Sequence, residues 1–444
     1  MAISTAAQGS PVRRALWGSA LGTTLEWYDF FLYGTMAVIV FPAVFFPAQD
    51  QFIGTLISVS TFGVAFIARP MGAVLFGHLG DRVGRRSVLV ATMVLMGLST
   101  ATIGILPSYA TAGALAPILL VSMRVLQGLS TGGEWGGAVL MAVENSPTRT
   151  KSGADRGGLY GAFVQAASPA GLILSNAAVL AAGQLDRDAF ITWGWRIPFL
   201  VGGIVAIVGL IVRFGVPETR EFADLKGRRR TVKSPAREAL TRHPKAVLFT
   251  ALTYAGPGTL FYVAVIFGQS YAVKSAGMSQ NSMVAIVLVY AAASFAATIF
   301  VGRKSDQWGH RRSVIWGCSS LVVLTPIWLA LFATGNVVLA TIGFLLLVLP
   351  FSAAWAPMAV FFARSFSPEV RYSGVSLGYQ LGTVLGGALP PIIAVALFKY
   401  FDSLVAVGAY VMVTLVLSAV AAGRIHASAS ATPAPAEVAT ERVA

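Results

Sequence analysis

The chain has 444 residues, of which 56% are hydrophobic and 11% are charged, and its formal net charge is +14. Soluble domains carry about 25% charged residues, so this composition excludes a water-soluble protein with an ordinary surface. The single cysteine, Cys318, excludes an internal disulfide, and the four histidines show no metal-ligand spacing. We therefore expect an integral membrane protein that needs no cofactor.

Twelve apolar runs follow one another along the chain, six before and six after a polar gap. Each is long enough to cross a bilayer, which takes roughly 20 residues of helix. The first run contains Glu26 and Asp29 and has no cleavage site after it, so we do not expect a signal peptide. The predicted spans are 15–43, 52–78, 86–106, 113–143, 157–182, 195–216, 245–272, 281–302, 312–333, 337–364, 371–397 and 402–423.

These spans predict an all-α membrane protein with twelve transmembrane helices in two pseudo-symmetric six-helix bundles. The polar gap is rich in Lys and Arg and is predicted to be a cytoplasmic linker. The last residues are rich in Ala, Pro, Ser and Thr, a composition typical of disorder. The predicted units are an N-terminal segment 1–14, a first bundle 15–216, a linker 217–244, a second bundle 245–423 and a cytoplasmic tail 424–444.

The positive charges are distributed unequally between the two predicted sides of the membrane. An even number of spans places both termini on one side, and that side holds most of the 32 Lys and Arg residues. Such an excess marks the cytoplasmic side. We therefore interpret the net charge as a signal for topology in a bacterial inner membrane, and not for nucleic-acid binding. The opposite side holds Arg187, Arg196, Lys274 and Lys399.

A loop motif occurs once in each half of the chain. The sequence GHLGDRVGRRSV begins at Gly77, and a related sequence, GRKSDQWGHRRSV, begins at Gly302. Gly77 and Gly84 predict a tight turn between helices, because glycine adopts backbone conformations that other residues avoid. An internal repeat of this length in a hydrophobic chain is typical of secondary transporters, in which two bundles rock about a shared centre.

The charged residues of the two loops are candidates for a gate between the halves. Asp81 can cap a helix N-terminus or pair with an arginine of the opposite half. Glu144 is predicted to form a salt bridge with Arg85 or Arg149. Breaking and remaking such contacts would bias the protein between two open states. The predicted gating residues are Asp81, Arg85, Arg86, Glu144, Asp306 and Arg311.

These loops resemble the signature loop of the major facilitator superfamily, and Arg124–Gly128 resembles its second motif. Further stretches resemble the metabolite:proton symporter family, whose members carry shikimate, α-ketoglutarate, citrate, and proline or betaine. The resemblance extends from residue 13 to about 423 and implies the major facilitator fold and proton symport, without identifying the substrate. The stretches that resemble the metabolite:proton symporter family are Glu26–Gly34, Gly132–Gly137, Trp195–Phe199 and Val370–Gln380.

Three departures from the family pattern affect this interpretation. A glutamate expected near Arg364 is absent, so the second half has no evident counterpart of Glu144. The antiporter motif of the fifth helix is reduced to a fragment at Ser168, which favours import by symport. The second loop has Lys304, Gln307 and His310 where the first has Leu79, Arg82 and Arg85.

Charged side chains within membrane spans are costly unless paired, and are therefore candidates for function. Glu26 and Asp29 lie three residues apart and so share a helix face. We expect Asp29, then Glu26, and also Glu134, to take part in proton coupling, because desolvation favours the neutral form of a carboxyl group. The alternative is a structural role, in which these acids form buried pairs with Arg69 and Arg124.

Substrate contacts are predicted in both halves. Arg124 can bind a carboxylate through its two-pronged guanidinium group, or can neutralise Asp29 instead. The second half offers polar and aromatic side chains, with Tyr254 and Tyr262 as further possibilities. The predicted substrate-binding residues are Arg124, Tyr33, Tyr379, Gln380, Gln269 and Trp355.

The sequence thus predicts a secondary transporter and no enzyme. The favoured function is proton-coupled import of a small hydrophilic metabolite, with an organic acid preferred, by a monomer in the lipid bilayer. Symport of a zwitterion such as proline or betaine, and uncoupled facilitation, remain open alternatives. A membrane enzyme would need a nucleophile with a base or clustered histidines and acids, and a sensor would need a signalling extension.

Overall fold

The computed structural model describes residues 9–47, 51–146, 156–214 and 234–425. Within these ranges the chain folds into helices and forms no strand. The helices are α1 Gly9–Ile39, α2 Phe41–Phe45, α3 Gln51–Val83, α4 Arg85–Ile105, α5 Tyr109–Ala112, α6 Leu115–Glu144, α7 Gly157–Gln165, α8 Ala167–Ala182, α9 Arg187–Ala189, α10 Arg196–Phe214, α11 Pro235–Arg242, α12 Pro244–Tyr262, α13 Gly268–Lys274, α14 Gln280–Trp308, α15 His310–Ala333, α16 Val337–Trp355, α17 Met358–Ala363, α18 Arg371–Thr383, α19 Leu389–Phe401 and α20 Leu404–Arg424.

Ten helices of the described residues are long and apolar enough to cross a membrane. A bent pair, Arg187–Gly194 with Arg196–Ile211, makes an eleventh if it counts as one span. Helix α1 has 31 residues but is not among them, and its acidic residues Glu26 and Asp29 lower its hydropathy. The predicted all-α membrane architecture is confirmed, while the count of twelve spans stays a prediction.

The helices pack in two groups that meet along two contacts. In the first half, α3 packs on α6, α4 on α6 and α10, and α1 on α8 and α10. In the second half, α12 packs on α18 and α20, α15 on α16 and α20, and α14 on α16. The halves meet where α18 lies against α3 and α6, and where α14 lies against α7 and α8. The interface between the halves therefore has two similar sides.

Glycine makes the closest helix contact of the first half possible. A Cβ atom added to Gly72 of α3 would lie 2.7 Å from the carbonyl carbon of Leu129 in α6. A Cβ atom added to Gly132 of α6 would lie 2.7 Å from the backbone nitrogen of Ala73. Small residues allow such approach between membrane helices, for which lipid provides little hydrophobic drive. The Gly132 cluster is therefore a packing position, as the sequence indicates.

The first loop motif begins inside a helix, which corrects one prediction. Because α3 continues to Val83, Gly77 lies within the helix, and its predicted role in a turn is wrong. A Cβ atom on Gly77 would lie 3.1 Å from the Cα of Ser373 in the opposite half, so this glycine permits close packing. The turn itself is made by Gly84, with a φ of 125°, and by Gly309 in the second loop, with a φ of 87°.

The segments outside the bundles are described in part. Residues 215–233 of the linker region and residues 426–444 of the tail lie outside the described residues. The end of the predicted linker is helical, since Pro235–Arg242 forms α11 and α12 begins at Pro244. In the predicted N-terminal segment, α1 begins at Gly9.

We predict that Gly72→Ala lowers the unfolding temperature of the purified protein. The added methyl group would collide with the backbone of α6, and overpacking of this kind costs about 1–3 kcal/mol. Gly63→Ala on the same helix is the matched control, because a Cβ atom there has nothing within 4 Å. Equal unfolding temperatures for the two variants would show that α3 and α6 are not in close contact at Gly72.

Candidate functional site

Asp81 caps a helix of the opposite half. Its carboxylate accepts hydrogen bonds from the backbone nitrogens of Tyr372 at 3.2 Å and Ser373 at 2.9 Å, and from the Ser373 hydroxyl at 2.8 Å. These amides belong to the first turn of α18, where they have no partner within the helix and form the positive end of its dipole. The helix-capping contact predicted for Asp81 is therefore present.

Asp306 makes the equivalent contact in the reverse direction. Its carboxylate accepts from the backbone nitrogens of Gly158 at 2.7 Å and Leu159 at 3.1 Å, at the N-terminus of α7. His310, at the place of Arg85, lies beside it, with 3.7 Å between its Nε2 and the Asp306 Oδ1. Each half therefore supplies the cap for a helix of the other half. We call the end of the molecule that holds Asp81 and Asp306 the motif end.

Glu144 joins the two halves at the motif end. This last residue of α6 forms an ion pair with Arg85, and its other carboxylate oxygen lies 3.4 Å from Nη1 of Arg371 in the second half. The salt bridge predicted between Glu144 and Arg85 is therefore present. The alternative partner, Arg149, lies outside the described residues.

Arg86 and Arg311 lie at equivalent places in the two loops and make equivalent contacts. Arg86 Nη2 donates to the carbonyl oxygen of Phe214 at 2.6 Å, and Arg311 Nη2 donates to the carbonyl oxygen of Gly423. Both acceptors lie in the last turn of a helix, where carbonyl groups lack partners and cations are favourable. These contacts stay within one half, so they fasten each loop to the last helix of its own bundle.

Asp29 is the centre of a hydrogen-bonded network inside the first half. One carboxylate oxygen accepts from the Thr100 hydroxyl and from Gln127 Nε2, both at 2.7 Å. The other lies 3.5 Å from Nη1 of Arg124, which also donates to Gln127 Oε1 at 2.8 Å. All four side chains are buried. Gln127 therefore bridges the acid and the base of a buried ion pair.

Arg124 is enclosed by side chains of the first half. Its guanidinium carbon lies 3.8 Å from the centre of the Tyr33 ring and 5.6 Å from that of Phe62. The Tyr33 hydroxyl lies 2.5 Å from Oγ1 of Thr61. Within the described part of the chain, Nε and Nη2 of Arg124 have no hydrogen-bond partner. The structure thus brings Arg124 and Tyr33 together with Asp29 inside the first half.

Arg69 lies close to the second half. It is buried over the rings of Phe30 and Phe66, which pack against Tyr262 of the second half. Glu26 is buried as well. Asp29, three residues after Glu26 on α1, contacts α4 and α6 of its own half. Glu134 is buried in α6 and is not one of the hydrogen-bond or ion-pair partners of Asp29 in the described structure.

A narrow cavity of about 20 Å³ lies between the halves. A void of this volume holds about one water molecule. Most of its lining residues belong to the second half, and six of the fourteen are aromatic, with hydroxyl groups such as that of Ser294 between the rings. The aromatic wall, as we call it, consists of Trp27, Tyr254, Phe261, Tyr290, Phe351 and Trp355.

Stacked rings and side-chain amides close the space between this cavity and the motif end. Tyr379 stacks on Trp135 of the first half, with ring centres 3.6 Å apart and planes 8° apart. The neighbouring Gln380 donates to the carbonyl oxygen of Thr131 at 3.0 Å. Two predicted substrate residues, Tyr379 and Gln380, therefore lie on the interface between the halves and contact the first half directly.

Trp355 makes a reciprocal contact across the interface. Gln165 Nε2 donates to the carbonyl oxygen of Trp355 at 2.9 Å, and Trp355 Nε1 donates to that of Gln165 at 3.2 Å. Gln165 Oε1 also accepts from Trp135 Nε1 at 3.0 Å. Gln269, in contrast, is exposed in α13, and the structure does not bring it together with the other predicted substrate residues.

Sequence reasoning did not single out several residues of this site. Gln127 had a signal, because it lies three residues after Arg124 and so shares its helix face. Gln165 is a polar residue in an apolar span, which is a weaker signal. Threonine and serine also occur in membrane spans without a functional role, so the sequence does not indicate which residues Thr100 and Ser373 contact.

The two helical halves are joined at the motif end. The first half holds a buried charged network, and the second half holds most of the aromatic wall. This arrangement defines a membrane transporter. The family model of the Major Facilitator Superfamily matches residues 19–391. The chain therefore belongs to this superfamily. Its relatives and its fold are those of transporters and not of enzymes, as the sequence predicts.

Characterised relatives cover most of the chain. The inner membrane metabolite transport protein YhjE of Escherichia coli is 38% identical over 89% of this chain and 90% of its own length. The shikimate transporter of the same organism is 37% identical, over 88% and 89%. A proline/betaine transporter of Salmonella typhimurium is 30% identical, over 96% and 87%. The resemblance to metabolite, shikimate and proline/betaine carriers is thereby confirmed.

Solved structures confirm the fold. The proton:xylose symporter XylE, bound to a glucose derivative, superposes with a TM-score of 0.75 over 94% of this chain and 95% of that chain. Its sequence is 17% identical, so the likeness concerns the fold alone.

We predict that Asp81→Asn slows transport turnover about tenfold with little change in substrate affinity. The amide keeps an acceptor oxygen but loses the charge that favours a helix N-terminus, and hydrogen bonds to charged groups contribute about 1.5–3 kcal/mol. Transport rates at several substrate concentrations separate turnover from affinity. A large change in affinity would place Asp81 at the substrate and not at a gate.

The matched control for this prediction is Asp186→Asn. Asp186 also caps a helix, accepting from the backbone nitrogen of Ala189 at 2.9 Å, but it is exposed and lies within one half. We expect this variant to keep the wild-type rate. A similar loss of rate in both variants would contradict a gating role for the cap between the halves.

Proposed function

We propose that the chain is a proton-coupled symporter that imports a small hydrophilic metabolite, an organic acid, by alternating access. The observation that carries this proposal is the buried pair of Asp29 and Arg124, with Gln127 between them. A buried ion pair is costly to assemble and contributes little net stability compared with apolar packing. Its presence in the middle of a membrane span is therefore best explained by function.

The pair supplies a mechanism for coupling. While Arg124 lies beside Asp29, the cation and two hydrogen-bond donors stabilise the charged form of the carboxylate. When Arg124 moves away, the desolvated carboxyl group favours its neutral form and takes a proton. Proton binding at Asp29 and the position of Arg124 are thereby linked. Glu26 and Glu134 are the further proposed proton-binding residues.

The motif end is proposed as the gate. The caps made by Asp81 and Asp306, and the ion pairs of Glu144, hold this end closed in the present state. A cavity with room for about one water molecule cannot admit a metabolite, so the halves must separate for a substrate to enter. We place the motif end and both termini in the cytoplasm of a bacterium, because most of the 32 Lys and Arg residues lie on that side.

The proposed substrate contacts come from both halves. Arg69 and Arg124 give the first half two buried guanidinium groups, which support an anionic substrate. Tyr379, Gln380 and Trp355 contribute from the second half. The relatives named as shikimate and proline/betaine transporters point to compact, water-soluble compounds of low molecular mass.

The proposed function is tested by uptake into proteoliposomes that contain the purified protein. Labelled shikimate, α-ketoglutarate, citrate, short monocarboxylates, proline and betaine are offered under an inside-alkaline pH gradient, with and without a protonophore. We expect accumulation of a carboxylate above its external concentration, and loss of that accumulation with the protonophore. Uptake that only equilibrates would identify an uncoupled facilitator.

We predict that Asp29→Asn abolishes proton-driven accumulation but leaves substrate exchange across the membrane measurable and independent of pH. The amide can still accept hydrogen bonds from Thr100 and Gln127, but it cannot take up a proton near neutral pH. Asp188→Asn, at an exposed position, is the control and should accumulate substrate normally. Loss of both accumulation and exchange, with a lowered unfolding temperature, would assign Asp29 a structural role.

A further inference from the structure

Arg69 lies where the two halves meet and is buried, with 3% of its surface exposed. Its guanidinium carbon lies over the rings of Phe30 and Phe66, at 5.0 and 4.7 Å from their centres. Both rings pack in turn against Tyr262 of the second half, with ring centres 5.9 and 6.1 Å apart. Arg69 is therefore held in place by rings that themselves form part of the interface between the halves.

Polar atoms around Arg69 lack partners. Its Nε has no hydrogen-bond partner among the described residues, and neither does the hydroxyl of Tyr262, which is fully buried. Buried polar groups are nearly always hydrogen-bonded, so two orphans in one neighbourhood indicate a missing partner. Arg124, in contrast, already has Asp29 and Gln127 beside it.

The neighbourhood of Arg69 borders the cavity. Phe30, which lies under Arg69, is 5.7 Å from Trp27, and Tyr262 is 5.3 Å from Phe261, measured between ring centres. Trp27 and Phe261 are both members of the aromatic wall. A ligand in an enlarged cavity could therefore contact the aromatic wall and Arg69 at the same time.

We propose that Arg69 binds the carboxylate of the substrate, with the Tyr262 hydroxyl as a second donor, and that the carrier is selective for compact monocarboxylates. This inference rests on the proposed function and names its substrate class. A guanidinium group offers a planar fork of donors that matches a carboxylate. The carbon body of the ligand packs on the aromatic wall.

The charges of the site allow one carboxylate and disfavour a second. Arg124 is paired with Asp29, whereas Nε of Arg69 has no hydrogen-bond partner among the described residues, so Arg69 is the cation that we assign to the ligand. A second or third carboxylate would enter a region that already holds the buried acids Glu26 and Glu134, and a further buried negative charge is strongly unfavourable away from water. In the described part of the second half, the one buried charged side chain is Arg371, at the motif end.

The body of the ligand can be neutral or cationic under this scheme. A hydroxylated ring acid such as shikimate would stack on the rings of the wall. A zwitterion such as glycine betaine would place its quaternary ammonium group against the same rings, with Glu26 nearby. Both carry a single carboxylate, and the experiment distinguishes them.

The experiment measures ligand binding to the purified, full-length protein in detergent, without a pH gradient, so that it does not depend on coupling. Shikimate, glycine betaine, methyl shikimate, α-ketoglutarate and citrate are titrated, and the unfolding temperature and the dissociation constant are recorded. We expect shikimate or glycine betaine to bind, and methyl shikimate, α-ketoglutarate and citrate not to stabilise the protein. Tighter binding of either polycarboxylate would overturn the proposal.

Three variants and a control test the assignment of Arg69. We expect Arg69→Gln to weaken binding of the monocarboxylate roughly 10- to 100-fold, because a hydrogen bond to a charged group is lost. Arg69→Lys should weaken binding less. Tyr262→Phe should weaken binding several-fold while the unfolding temperature of the ligand-free protein stays equal or rises, because an orphaned hydroxyl is removed. Arg242→Gln, at an exposed site, should bind normally.

Unchanged monocarboxylate binding in both Arg69→Gln and Tyr262→Phe would refute the proposal, even if transport is proton-coupled. Conversely, the carrier could prove to be uncoupled while the Asp29→Asn variant still binds a monocarboxylate through Arg69. That result would refute the coupling mechanism and would support the binding site at Arg69. The two hypotheses therefore fail separately. If Arg69→Gln does not fold, Tyr262→Phe and Arg69→Lys carry the test.

Discussion

The two halves of the protein complete each other's helices at the motif end, and the rest of the structure depends on this contact. Helices α7 and α18 each begin with amides that have no partner within the helix, and each receives an aspartate from the other half. Neither half can open at this end without exposing those amides. The halves can separate at low cost only where water can bond to these amides in place of the carboxylate. This explains why the caps lie at the end of the bundle and not at its centre.

The scaffold is nearly symmetric, but the chemistry placed on it is not. Loop contacts such as those of Arg86 and Arg311 repeat almost atom for atom. The buried charges of the central region, however, belong to α1, α3 and α6 of the first half, and the rings of the cavity belong mainly to the second. Such a division places proton-binding groups and apolar ligand contacts on opposite sides of one interface. Relative motion of the halves then changes both environments together.

Patterns along the chain predicted a large part of this structure. The helix bounds and the Asp81 and Glu144 contacts depend on apolar run length and on which loops share a side of the membrane. The rotation of each helix about its own axis depends on packing against partners far away in sequence, and the apolar runs do not encode it. For this reason Gln269 proved to be exposed and Gly77 proved to be a packing residue.

The two clasps at the motif end are alike in their caps but differ in the charged residues around them. Near Asp81, Glu144 of α6 pairs with Arg85 of α4 and with Arg371 of α18, and the second of these pairs joins the two halves. At the second clasp a histidine, His310, stands where the first has Arg85, and Arg364 stands near the place that corresponds to Glu144. An arginine keeps its charge at any physiological pH, whereas an imidazole does not. The two sides of the interface therefore share the capping of a helix by the opposite half and differ in the charged side chains around the cap.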